Sequence, residues 1–407
     1  MLTNSDVENF ISKNNYDIRV SGNGRWIDQK CAADVLTIVS DCIYNFYISK
    51  DSKQKFTTSD IWHSEYAKIN VEDVFRKPKV DSKKAKHEYD KFFQQPMELL
   101  AAANVLNKQK NRGQNIYSIA NLEIIEYIAL REKNALFFLK VYIEKTLRDS
   151  GIYYLFESFF KDQTSLNYLK MKKGFSNFTI QYTKINGIVE CNRIFIKVLN
   201  PLAYYNKSLG TERGYLSKHN ITYDKLMYNR DNFRDIYAEK PKNLTRKEYI
   251  KLHKIEPNSA YCTYQSNKAK HYLHLFNEKY RCGKSEHFDD LAQGEATHIH
   301  HIFTKSQYPE ICSYLENLIA LTPSQHLTKA HPSGRTREIS EMYQHMLLLS
   351  KNERIKENIM NDKIETIYNF KKFLYVLSVG FDNSNIFQIE ENDFNSVINL
   401  INSHYVA

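Results

Sequence analysis

His300 and His301 stand side by side in the short run His298-Ile299-His300-His301-Ile302, and that pair constrains this chain of 407 residues more than any other feature. On a β-strand neighbouring side chains point to opposite faces, so the two imidazoles cannot do the same work from the same side. One can ligate a metal while the other faces a reacting water. Asn317 follows His301 by sixteen residues and reads as the entry to a helix in Glu316-Asn317-Leu318-Ile319-Ala320-Leu321, and His326 comes nine residues later. Lys305, four residues past His301, stands where a cation can contact an anionic substrate. His331 follows His326 by five, a spacing that on an α-helix turns it off the face of His326 and makes it the weaker ligand candidate.

An imidazole, with an ordinary pKa near ~6.5, can take a proton from water at neutral pH. A divalent ion can steady the charge that builds on a phosphodiester and its leaving 3′ oxygen. Over residues 295–331 this order of residues resembles the HNH (ββα-metal) endonuclease family. The resemblance implies that His301 is the general base and His300 a metal ligand, in a place where many members carry Asp. It implies that Asn317 is a ligand or an orienting amide at the start of the helix. His326 is then the third signature residue, a ligand or a support from the second helix, and Lys305 contacts the substrate phosphate. Mg²⁺ is the implied cofactor, with Mn²⁺ able to substitute.

Many members also carry two CxxC pairs that build a structural zinc. Here Thr322 and Gln325 stand where one pair would fall, and none of the 6 cysteines forms a CxxC. Cys262, Cys282 and Cys312 flank the motif at spacings of 20 and 30 residues, which fit no zinc pattern. No structural zinc is expected.

A formal net charge of +10 suits a chain whose affinity comes from neutralising phosphates and releasing counterions, so double-stranded DNA is the expected partner. Hydrophobic content of 42% with 13% aromatics excludes a disordered chain. The N-terminus lacks the basic and apolar blocks of a signal peptide, and no run of 18 apolar residues occurs. The expectation is a cytoplasmic protein with reduced thiols and no membrane contact.

The fold expected is α+β and multidomain: a DNA-recognition region over 1–240, an HNH nuclease domain over 241–335 and C-terminal helices over 336–407 packing on it. Ala32 to Phe46 shows a helical apolar face, Tyr89 to Leu106 a second with a boundary at Pro96, and residues 107–119 a hairpin with Arg112-Gly113 at its tip. Helices followed by such a hairpin resemble a winged helix over 24–120, with Arg112 on the DNA backbone and Gln94 or Gln95 reading adenine. Leu122 to Leu147 reads as one helix, and Phe178 to Val198 as a β-hairpin around Asn186-Gly187. Residues 207–254 carry twelve Lys or Arg, among them Arg213, Arg230 and Arg234, against six Asp or Glu, with tyrosines interleaved. This segment is expected to track DNA. The stripe Ile339, Met342, Met346 and Leu349 opens a set of three core-facing helices.

A recognition region joined to one HNH unit looks like a type II restriction endonuclease, for which a cognate DNA methyltransferase is expected in the same system. One such site cuts one strand, so double-strand cleavage implies a homodimer or sequential nicking. The rivals are a modification-dependent, homing or phage-defence nuclease, and a non-catalytic DNA-binding regulator with a degenerate site. The last would have lost a signature residue, and all of them are present.

Overall fold

The computed structural model describes residues 1–49, 55–75, 77–80, 82, 85–228, 252, 259–331 and 339–406. The chain is α+β and mostly helical, 63% helix, with three small two-stranded antiparallel sheets. It divides into two compact units, Leu2–Ile255 and Glu256–Ala407, the second also counting Met1. Among the described residues no helix is long and apolar enough to cross a membrane.

The first unit is built from α1 (Asn4–Ser12), α2 (Ile18–Ser21), α3 (Ala33–Ser49), α4 (Thr58–Trp62), α5 (Glu65–Phe75) and α6 (Ala85–Ala102). There follow β1 (Leu106–Asn111), β2 (Gln114–Ile119), α7 (Leu122–Leu130), α8 (Glu132–Asp149), α9 (Tyr153–Lys161), α10 (Ser165–Tyr182) and α11 (Ile188–Tyr205). A second hairpin, β3 (Leu209–Glu212) and β4 (Tyr215–Asn220), and α12 (Tyr223–Leu226) complete it. Helix α3 is buried on every side from Ala33 to Ile43, as a helix must be when it forms the centre of a helical core. Its polar residues are satisfied inside: Asp34 accepts from the Tyr228 backbone at 2.9 Å and Asp41 from the Tyr66 hydroxyl at 2.6 Å.

Three expectations fail here. Pro96, expected to mark a boundary within its helix, lies inside a continuous α6. The helix expected over 122–147 breaks at Arg131, whose extended backbone (φ −165°, ψ 157°) separates α7 from α8. The hairpin expected over 178–198 is two helices, α10 and α11. In α10 the buried residues Tyr168, Met171, Phe175 and Phe178 recur at helical intervals, so Phe178, Ile180 and Tyr182 are the end of a helical face that looks alternating only when cut off from its start.

Both hairpins turn through an Arg-Gly pair with positive φ: Arg112 at 49° and Gly113 at 85°, Arg213 at 51° and Gly214 at 86°. That is the type I′ geometry matching the right-handed twist of two strands, and it leaves each arginine exposed at the tip.

The second unit opens with α13 (Ser259–Arg281), followed by the ribbon β5 (His298–His301) and β6 (Leu318–Leu321), then α14 (Glu341–Met360), α15 (Phe370–Gly380) and α16 (Phe394–Val406). The first expected C-terminal stripe is displaced: Met342 is 73% exposed, and α14 turns Tyr343, Leu347, Leu348 and Ile355 inward. A two-stranded ribbon is marginal in water without packing support, and here β6 is buried along its whole length. Glu286 works as a third rung, its N–H donating to the Ala320 carbonyl at 2.9 Å and its carboxylate accepting the Ala320 N–H at 2.8 Å. Beneath it the Lys351 ammonium lies 3.4 Å from Glu286 and donates to the Tyr368 hydroxyl at 2.6 Å, while that hydroxyl donates to Glu286 at 3.2 Å.

Complete burial holds the Lys351 ammonium down, at about 8 against an ordinary 10.5. Between those values the unfolded chain binds a proton that the folded chain has released, so this position makes stability rise with pH in that window. Urea titrations from pH 8 to 9.5 are expected to show wild type gaining about 1–2 kcal/mol relative to Lys351→Met, which has no proton to lose. Parallel pH profiles for the two proteins would contradict this account of the buried triad.

Candidate metal centre

The ribbon sets the histidines. β5 and β6 pair with His300 opposite Ile319 and His301 opposite Leu318. Alternation turns the 3% exposed His300 to the buried face and leaves His301 half-buried. After β6, Gln325–Ala330 winds as a π-helix, which closes its hydrogen bonds five residues apart. Residues five apart therefore return to one side, and His331, just beyond the last turn, comes back over His326. The imidazole centroids of His300, His326 and His331 stand 5.2, 5.0 and 4.8 Å from one another. One ligand nitrogen from each lies within 4.8 Å of the other two.

His300 Nε2 and His326 Nδ1 are buried without a hydrogen-bond partner, a cost a bound cation would remove. Burial, and then the mutual repulsion of the cluster, hold His300 well below the usual imidazole range. The same causes put His326 at about 4. Both are neutral at pH 7 and offer lone pairs. A set of three imidazoles fits a borderline transition ion such as Zn²⁺, Mn²⁺, Co²⁺ or Ni²⁺. It fits Mg²⁺ poorly, since that ion takes oxygen ligands, so the expected cofactor does not suit these donors.

Asn317 departs from its expected place. It ends a 3₁₀ turn and leads into β6, a strand rather than a helix, because the short apolar run Leu318–Leu321 carries no period that separates the two. Its side chain is 0% exposed. Oδ1 accepts the Phe303 N–H at 2.9 Å, and Nδ2 donates to the Phe303 and Ile311 carbonyls at 3.0 and 3.3 Å. The amide closes the loop between the strands and is an orienting group. His331, not Asn317, joins His300 and His326 in the cluster that could hold a metal.

His301 Nε2 lies 2.9 Å from the Cys312 carbonyl and 3.1 Å from Ser266 Oγ. A carbonyl only accepts, so Nε2 carries the proton and Nδ1 keeps the lone pair. Burial and the neighbouring Lys270 hold this imidazole down at about 4. Lys305 donates to Thr263 Oγ1 at 2.6 Å. His301, Lys305 and the three clustered histidines line one cleft of about 980 Å³ with Ser259, Cys262, Thr263, Lys270, Thr304, Ser306 and Pro309. Among the described residues no carboxylate is in that wall.

Thr322 and Gln325, where a cysteine pair would fall, make a hydrogen-bonded knot instead. Gln325 Oε1 accepts from the Thr322 N–H at 3.1 Å and from Ser285 Oγ at 2.7 Å, and its Nε2 donates to the His287 carbonyl at 3.0 Å and to Asp289 at 2.8 Å. The knot fixes the first turn of the π-helix and hence His326.

The expected DNA contacts sit in the first unit. Arg112 and Arg213 are exposed at their hairpin tips and Gln94 is exposed on α6. Gln95 is committed elsewhere, its Oε1 accepting the Lys30 N–H at 2.8 Å. Arg230 and Arg234 lie outside the described residues. Sequence reasoning missed Ser266 and Lys270, which come from α13 and belong to no local motif.

Asn317→Ala removes three buried hydrogen bonds and is expected to cost about 2–4 kcal/mol in urea unfolding. An unchanged midpoint with weakened metal binding would restore the ligand role. His331→Ala is expected to weaken Zn²⁺ or Mn²⁺ binding by roughly tenfold or more in calorimetry, as a lost ligand should. His298→Ala, beside His326 at 4.9 Å between centroids but outside the cluster, is expected to leave it unchanged. Equal effects of the two would contradict the assignment.

Comparison with known protein families, with curated proteins and with solved structures returned no match, so the reading of this site stands on its own geometry.

Proposed function

We propose that the chain is a metal-dependent DNA endonuclease of the HNH (ββα-metal) type. The observation that carries this reading is one cleft, with no carboxylate among the described residues of its wall, that joins three convergent imidazoles, a fourth imidazole with a fixed tautomer, and two lysines. A wall that carries Lys270 and Lys305 suits a phosphodiester and disfavours cations other than the one the histidines would hold.

His300, His326 and His331 would hold the ion, and the ion supplies charge stabilisation to the phosphodiester under attack. His301 Nδ1 takes the proton from the attacking water, whose oxygen bonds to phosphorus while the P–O3′ bond breaks and the 3′ oxygen gains a proton from solvent. The Cys312 carbonyl holds the imidazole in the tautomer this requires, and Ser266 steadies the same edge. Lys305 steers a phosphate oxygen into the cleft.

The first unit serves recognition in this reading, with α6 and the β1–β2 hairpin as a winged-helix element and Arg112 and Arg213 as backbone contacts. Gln94 then remains the base reader on α6. The biological class is a type II restriction enzyme acting on double-stranded DNA, as a homodimer or by two successive nicks, alongside a cognate methyltransferase.

Incubation of supercoiled plasmid with Mn²⁺, Zn²⁺ or Mg²⁺ tests the activity, and transition ions are expected to support cleavage better than Mg²⁺. His301→Ala is expected to lose roughly 10²–10⁴-fold in cleavage rate with Mn²⁺ affinity unchanged. Cleavage by His301→Ala at the wild-type rate would remove His301 from the chemistry.

A further inference from the structure

Lys270 projects from α13, outside the sequence motif, into the cleft it shares with His300, His301 and His326. Ser259, Cys262, Ser266 and Lys270 recur along one face of that helix, and all but Ser266 line the cleft wall itself. The Lys270 amine is partly buried and has no hydrogen bond or carboxylate partner among the described residues. The charges it meets are unfavourable. Lys305 bears on it as a like charge, and His300, His301 and His326 each feel Lys270 as a repulsive charge.

A metal centre alone does not account for this residue, because an ammonium beside a cation site weakens the ion's binding. Partial burial with no counter-charge among the described residues is a further cost. Both costs vanish if an anion sits between the ammonium and the metal ligands, and a tetrahedral phosphate offers oxygens to both at once.

We propose that Lys270 is a phosphate-binding residue of the site, its Nζ donating to a non-bridging oxygen of the phosphodiester placed at the three histidines, opposite the contact made by Lys305. This inference rests on the reading of the cleft as a phosphodiesterase site and extends the substrate contacts to α13.

Lys270→Met, Lys270→Gln and Lys270→Arg separate the alternatives, the glutamine variant serving if methionine compromises folding. Calorimetry with Mn²⁺ alone is expected to show tighter binding in the uncharged variants, roughly 5-fold for removal of one charge near a divalent ion. Inorganic phosphate binding to the Mn²⁺-loaded protein is expected to weaken, and single-turnover plasmid cleavage to fall on the order of 10²-fold, with Lys270→Arg restoring part of both. Uncharged variants that bind Mn²⁺ and phosphate like wild type would overturn the proposal. If the expected metal and phosphate shifts occur but wild type cuts no DNA, Lys270 remains an anion anchor and the nuclease reading falls.

Discussion

The side chain of Asn317 bridges the Phe303 backbone and the Ile311 carbonyl, and the candidate site depends on that closure. β5 and β6 are joined by a loop of sixteen residues (302–317) that runs through two 3₁₀ turns. Left to itself, a four-residue ribbon with such a connection has little to fix its register. The amide ties both ends of the loop beside the ribbon, and the same loop delivers the Cys312 carbonyl to His301. One buried amide thereby couples the histidine-bearing strand to the carbonyl that sets the tautomer of His301.

The second determinant is the turn after β6. An α-helix would carry His331 away from His326, whereas the π-turn returns it. π-turns are costly in hydrogen-bond geometry, and this one is anchored at its start by the Gln325 knot and faces the cleft with both histidines. The outcome is a donor set of three nitrogens, which changes the expected ion from a hard oxygen-loving cation to a borderline one.

Much of the site was legible in the sequence. The alternation of His300 and His301 and the placement of the β1–β2 hairpin needed only local periodicity and turn chemistry, and the motif order brought His326 and Lys305 into view as members of the same cleft. What was not legible depended on non-local packing. Asn317 reads as a helix start because a four-residue apolar run is silent on period, and the run is a strand. His331 falls off the face of His326 at α-helical pitch and returns to it only at the π-helical pitch of Gln325–Ala330. Residues 178–198 alternate in polarity over a window too short to expose the helical interval that begins at Tyr168. Ser266 and Lys270 lie on a helix far from the motif in sequence, and only folding of α13 beside the ribbon brings them to it.

The central claim is that a single transition ion sits on His300, His326 and His331. X-ray absorption spectroscopy of the protein loaded with one equivalent of Zn²⁺ or Co²⁺ measures that coordination directly. The account predicts three imidazole nitrogens at roughly 2.0–2.1 Å with the remaining positions filled by oxygen from solvent, and loss of one imidazole in His331→Ala. A coordination sphere containing sulfur or protein carboxylate, or one that keeps three imidazoles without His331, would contradict it.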